Sequence, residues 1–142
     1  MVLTGCLGKR RPGTRRHAIV TVWVLTWFFI VTGAAFAAPV TTVKATDTLR
    51  FAPAKVTITT GTVVKWTNAS VLVHTVTADP AKATMPDSTA LPHGAKPFDS
   101  GNLAPGETFS HAFTVPGVYR YFCKPHEGAK MWGTVVVKNG DS

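Results

Sequence analysis

A chain of 142 residues holds one domain, or one domain with a targeting segment, and is too short for a multidomain enzyme. Apolar residues make up 45% and charged residues only 15%, a balance that excludes a disordered, self-repelling chain. The formal charge of +8 is unevenly placed: residues 1–37 carry five of the fifteen basic and none of the seven acidic residues, leaving a net +3 for the rest.

The amino end has the layout of an export signal. Lys9, Arg10, Arg11, Arg15 and Arg16 precede an uncharged run from Ala18 to Ala38 that contains Trp23, Leu25, Phe28, Phe29 and Ile30. The run ends in small residues, with Ala35-Phe36-Ala37 as an A-x-A cleavage pattern, so residues 1–37 are expected to be a signal peptide and 38–142 the mature domain. The alternative is an uncleaved anchor, in which residues 18–38 are the only contact with a membrane. Thr14-Arg15-Arg16-His17 resembles a twin-arginine signal but lacks its usual Phe-Leu, which leaves general secretion and twin-arginine export both open. Either route predicts an exported protein, in a bacterial periplasm or on the outer face of the membrane. Leu3-Thr4-Gly5-Cys6 looks like a lipoprotein box, but it precedes the apolar run instead of ending it, so it is read as coincidence.

Beyond Thr41 the chain reads as short β-rich runs broken by Gly, Pro and Asn, with no helical period. Strands are predicted at 48–51, 55–59, 62–67, 73–78, 107–115, 118–123 and 133–138. The expected fold is all-β, a Greek-key sandwich or barrel of about eight strands behind the signal or anchor segment. Alternation places Val56 with Ile58, Val64 with Trp66, and Phe109 with Phe113 and Val115, on core-facing sides. The long irregular stretch 79–103 is expected to lie across one sheet with a helical turn. The mature Lys and Arg residues are scattered singly, so no nucleic-acid partner is expected.

The chemistry concentrates near the carboxyl end. Removal of the signal takes Cys6 away and leaves Cys123 as the one mature thiol, which therefore has no intramolecular disulfide partner. It opens a Cys-x2-His-x4-Met array of Cys123, His126 and Met131, placed where a strand runs into a short loop before the last strand. Thiolate, imidazole and thioether together suit copper, whereas hard cations want carboxylates and carbonyls. A fourth ligand is best supplied by His74, an imidazole at the start of an otherwise apolar run that needs a partner there. His93 is expected to be solvated in the long loop, with a weak second metal site with Met85 as the alternative. His111, in phase with Phe109 and Phe113, is read as partly buried structure.

With these residues in place, the sequence resembles the cupredoxins, most of all the plastocyanin, amicyanin and halocyanin-like group. The matching stretches are 68–75, Phe98-Asp99-Ser100-Gly101, Ala104-Pro105-Gly106-Glu107-Thr108-Phe109, Pro116-Gly117-Val118-Tyr119, and Tyr121 through Met131 and Gly133. The resemblance implies one type 1 copper per chain, with His74, Cys123 and His126 in a near-trigonal plane and Met131 as the long axial ligand. It implies a monomeric one-electron carrier that meets transient protein redox partners, with His126 at an apolar port lined by Leu72, Pro125 and Ala129. The chain departs from the plant pattern in having Phe122 for a tyrosine, no acidic run after Asp79, and Thr75 and Lys124 in place of Asn and Ser.

Catalysis is not expected. The chain has no His-x-His pair, no His beside Cys123 and one mature cysteine, so the copper clusters of multicopper oxidases, nitrite reductases and oxidase subunit II lack their ligands. The alternative function is copper binding for delivery or resistance without electron shuttling, although Met85 and Met131 alone do not make the Met-rich pattern common there.

Overall fold

The computed structural model describes residues 37–140. The expected signal or anchor thus lies outside the described residues, apart from Ala37 and Ala38, and among those described no helix is long and apolar enough to cross a membrane.

Among the described residues nine strands form: β1 (Val40–Thr46), β2 (Arg50–Ala52), β3 (Lys55–Thr59), β4 (Val63–Asn68), β5 (Thr77–Ala78), β6 (Phe98–Asp99), β7 (Thr108–Ala112), β8 (Gly117–Phe122) and β9 (Trp132–Lys138). They build two sheets, one in the order β2-β1-β4-β7 and the other β3-β9-β8-β5-β6. β1 pairs with β4, and β3 with β9, in parallel; the remaining pairs are antiparallel. The all-β sandwich expected from the sequence is therefore the fold.

The inner faces follow the two-residue period of a half-buried strand. Val56 and Ile58, Val64 and Trp66, and Val135 and Val137 are all buried, as are Val43 and Ala45 on β1. Trp66 lies at the centre, with ring centroids 5.3 Å from Tyr121, 5.9 Å from Phe109, 6.1 Å from Phe98 and 6.2 Å from Phe113. These tilted and edge-on contacts add roughly 0.5–1.5 kcal/mol per pair beyond area burial, and they tie the long connection, through Phe98, to both sheets. His111 is half-buried as expected, stacked on Phe98 at 4.2 Å and edge-on to Phe113 at 4.9 Å.

Two expected elements come out differently. β1 is absent from the predicted strands: it pairs with β2 and, in parallel, with β4, and its inward face of Thr41, Val43 and Ala45 offers only two apolar residues. The predicted strand 73–78 shrinks to Thr77–Ala78 because the amides before it are committed elsewhere. The Thr75 amide donates to Cys123 Sγ at 3.3 Å and that of Val76 to Ser100 Oγ at 2.8 Å, leaving His74 in an isolated bridge with Leu103. The connection 79–103 contains one 3-10 turn, Pro80–Lys82, and contributes β6 as an edge strand.

Tyr121 fits its place because Gly133, its partner across β8 and β9, has no side chain. A Cβ there would collide with the Tyr121 ring and hydroxyl. Gly133→Ala is expected to cost about 1–3 kcal/mol of overpacking, read as a lower urea midpoint with an unchanged m-value.

Candidate metal centre

β8 carries the chain directly to Cys123, and the Cys123 amide donates to the Met131 carbonyl at 3.0 Å, so the two ends of the loop meet. Between them, Pro125 sits in the 3-10 turn Lys124–His126, a position that tolerates its missing N–H. The His126 amide returns to the Cys123 carbonyl at 3.1 Å, and those of Ala129 and Met131 turn back on the His126 carbonyl at 3.1 and 3.3 Å. A strand end and one tight loop thus gather three of the four predicted donors.

His74 arrives from the other sheet connection. Buried Asn68 donates through Nδ2 to the carbonyls of Leu72 at 2.7 Å and Leu103 at 2.9 Å, while its Oδ1 accepts from the Ser70 amide at 2.9 Å. Leu103 in turn exchanges backbone hydrogen bonds with His74 at 2.8 and 3.2 Å. One buried side chain therefore fixes the loop before His74 and the segment opposite it.

The result is a compact donor set. Cys123 Sγ lies 3.5 Å from His74 Nδ1 and 3.3 Å from His126 Nδ1, and one donor atom from each of the three falls within 4.8 Å of the others. His74, Cys123 and Met131 have no exposed surface, whereas His126 is half-buried. The Nε2 of His74 is buried without a hydrogen-bond partner.

Burial pushes the Cys123 thiol up, against the lowering influence of the Thr75 amide, and pushes the His74 imidazole down, helped by nearby His126. A neutral imidazole is a ready donor, while a thiol in this setting gives up its proton only to a strong partner such as a soft metal ion. Thr75 supports the sulfur although it replaces the plant Asn, for its Oγ1 also accepts from the Lys124 amide at 2.8 Å.

Beside the loop, Asp99 accepts through Oδ2 from Lys82 and Lys124, both at 2.8 Å, and through Oδ1 from Thr77 at 3.0 Å and the Gly101 amide at 3.0 Å. His93 is exposed and Met85 half-buried. Among the described residues, the only cluster of three or more His, Cys, Asp or Glu donors is His74, Cys123 and His126. Sequence reasoning missed the structural roles of Asn68, Asp99 and Glu127. All three fall in stretches that carried the resemblance, and Glu127 also stands beside a predicted ligand.

A two-sheet sandwich that closes one end around a buried thiol between two imidazoles defines a small copper-binding protein of the cupredoxin class. Comparison with known proteins agrees: the family described as copper binding proteins, plastocyanin/azurin family, matches residues 37–138. This chain belongs to that family, and its cofactor is copper at a single type 1 site. It is 39% identical to chloroplastic plastocyanin of Tetradesmus obliquus over 94 residues, which cover 63% of this chain and 59% of the relative. It is 40% identical to plastocyanin of Scenedesmus fuscus, again over 94 residues, covering 63% and 88%. The match thus spans less than two thirds of the first relative's length. Among solved structures, the oxidized plastocyanin of Dryopteris crassirhizoma shares the fold with a TM-score of 0.52 at 24% identity, covering 69% of this chain and 100% of that one.

The Asp99 cluster sets an acid limit on stability. Burial raises the Asp99 carboxyl, but donors from Lys124, Lys82, Gly101 and Thr77 outweigh it and hold the group well below the usual carboxylate range. Its contribution is complete above the unfolded value of about 3.9 and is lost as pH falls towards the lower folded value. Asp99→Asn is expected to remove that part of the acid limb: the stability difference from wild type, measured by urea unfolding, should shrink steadily below pH 4.

Proposed function

We propose that His74, Cys123, His126 and Met131 hold the copper, Met131 as the axial ligand, and that the protein is a one-electron carrier outside the cytoplasm. Bound there, copper supplies a Cu(I)/Cu(II) couple. The chain's residues supply a donor set fixed by backbone hydrogen bonds on all sides, so that little has to rearrange when an electron arrives or leaves. The single observation that carries this reading is the buried Sγ held 3.3 and 3.5 Å from two imidazole nitrogens.

The two imidazoles differ in access. His74 is sealed, while half-buried His126 lies on a loop whose Pro125, Gly128 and Ala129 are exposed. Val71, Leu72 and Val73, which lead into His74, are 80, 41 and 44% exposed. Small apolar surfaces of this kind suit short-lived encounters with protein redox partners and quick release. No substrate is transformed. Residues 1–37 are assigned as the export signal and 38–142 as the working domain, acting in a bacterial periplasm or at the extracellular face of the membrane; the basic, apolar and A-x-A sequence supports this.

Cu(II)-loaded protein is expected to give an intense visible thiolate-to-copper band and a narrow copper hyperfine splitting. Both should vanish in Cys123→Ser and only shift in Met131→Ala. A pale, tetragonal spectrum indifferent to Cys123 would sink the electron-carrier reading. Leu72→Asp is expected to leave the spectrum unchanged while slowing electron exchange with an apolar-faced partner about tenfold, measured by stopped flow.

A further inference from the structure

Glu127 follows the outer imidazole directly, yet it is only 4% exposed. Its carboxylate has no cationic partner within salt-bridge distance among the described residues. Neutral donors satisfy it instead: the Thr84 amide at 3.0 and 3.1 Å to its two oxygens, the Thr84 hydroxyl, the Met85 amide at 2.9 Å and the Ser88 hydroxyl at 2.6 Å. Ser88 has no exposed surface. All four donors belong to one short segment of the connection between β5 and β6.

That segment is fastened to β8. Arg120 Nη1 donates to the Asp87 carbonyl at 2.6 Å, Thr89 Oγ1 donates to the Arg120 carbonyl at 3.3 Å, and Ala90 and Arg120 exchange backbone hydrogen bonds at 2.9 and 3.1 Å. β8 is the strand that delivers Cys123. A brace therefore runs from β8 through residues 84–90 to Glu127, and returns to the loop that carries His126 and Met131.

We propose that Glu127 is a positioning residue, whose carboxylate clamps segment 84–88 to the ligand loop and holds His126 and Met131 at one distance from Cys123 with or without metal. The proposal rests on the ligand assignment above. A carboxylate suits the task because it only accepts, with room for about four hydrogen bonds on two oxygens, and because charge-assisted bonds are the shorter and stronger ones. An amide would turn its own N–H groups towards donors. Among the described residues, residues 126–130 have two further side-chain ties: His126 Nδ1 with Cys123 Sγ at 3.3 Å, inside the donor set itself, and Arg50 Nη1 on the Ala129 carbonyl at 3.3 Å, a weaker exposed contact.

The test compares full-length wild type with Glu127→Gln, Ser88→Ala and Thr84→Ser. In metal-free protein, amide hydrogen exchange of residues 126–130 should be about tenfold faster in Glu127→Gln, with β3 and β9 unchanged. In copper-loaded protein, loss of Cu(I) to a chelator should also be about tenfold faster, with altered copper hyperfine splitting and reduction potential. Ser88→Ala should fall between, and Thr84→Ser, which keeps every donor, should match wild type. The proposal is overturned if Glu127→Gln lowers melting temperature alone, with loop exchange, hyperfine splitting and chelator rate at wild-type values. Should Glu127→Gln fail to fold, Ser88→Ala decides by the same readouts. A wild type without a blue band would defeat the ligand assignment, whereas loop exchange in metal-free protein would still decide on the clamp.

Discussion

Everything in this domain turns on holding one thiol between two imidazoles, with the thiol and one of the imidazoles out of water. Cys123 and His74 are fully buried, and the Nε2 of His74 has no hydrogen-bond partner. A buried polar group left without a partner costs about 1–3 kcal/mol, so a sandwich of this size tolerates such a cluster only when something recovers that cost. A soft metal ion held by Cys123 would recover it at the thiol by replacing the buried proton, and would engage the Nδ1 lone pair that each imidazole turns towards Sγ, while the His74 Nε2 keeps its unpartnered place. The surrounding hydrogen bonds then make sense as positioning: Asn68 sets the His74 loop, Thr75 supports the sulfur, and the Met131 carbonyl closes the ligand loop.

What could be read from the sequence depended on how local its cause was. Backbone hydrogen bonds within one loop bring Cys123, His126 and Met131 near one another, so their grouping is legible in their spacing. Trp66 and Val64 declared themselves by strand alternation. β1 did not, since its strand exists through a parallel partnership with β4 that leaves only Val43 and Ala45 as an apolar trace. The run 73–78 misled in the opposite sense. Its β-branched residues promise a strand, but at Thr75 and Val76 the amides go to a sulfur and a hydroxyl. Tertiary demands of the site override propensity there.

Glu127 was illegible for a similar reason. A glutamate between His and Gly in a loop reads as a solvated charge, and nothing nearby in the sequence says otherwise. The donors that bury it lie 39 to 43 positions upstream, in a stretch rich in Pro, Ala and Ser that looks like a plain surface connection. The long connection therefore does more than cover a sheet. Through Phe98 it contributes to the aromatic core, through Asp99 it meets Lys124 beside the thiol, and through Thr84, Met85 and Ser88 it holds the ligand loop.

The exposed apolar residues beside the site have the same origin as the site itself. In the loop before His74 three backbone groups are committed: the Val71 amide donates to Asp47 at 2.9 Å, the Leu72 amide to Ser70 at 2.9 Å, and the Leu72 carbonyl accepts from Asn68 at 2.7 Å. Beside these commitments, the side chains of Val71, Leu72 and Val73 stand outward, exposed to solvent. A surface suited to a passing partner therefore follows from fixing the buried imidazole. The rigidity that keeps rearrangement small and the apolar face that keeps encounters brief are two consequences of one constraint.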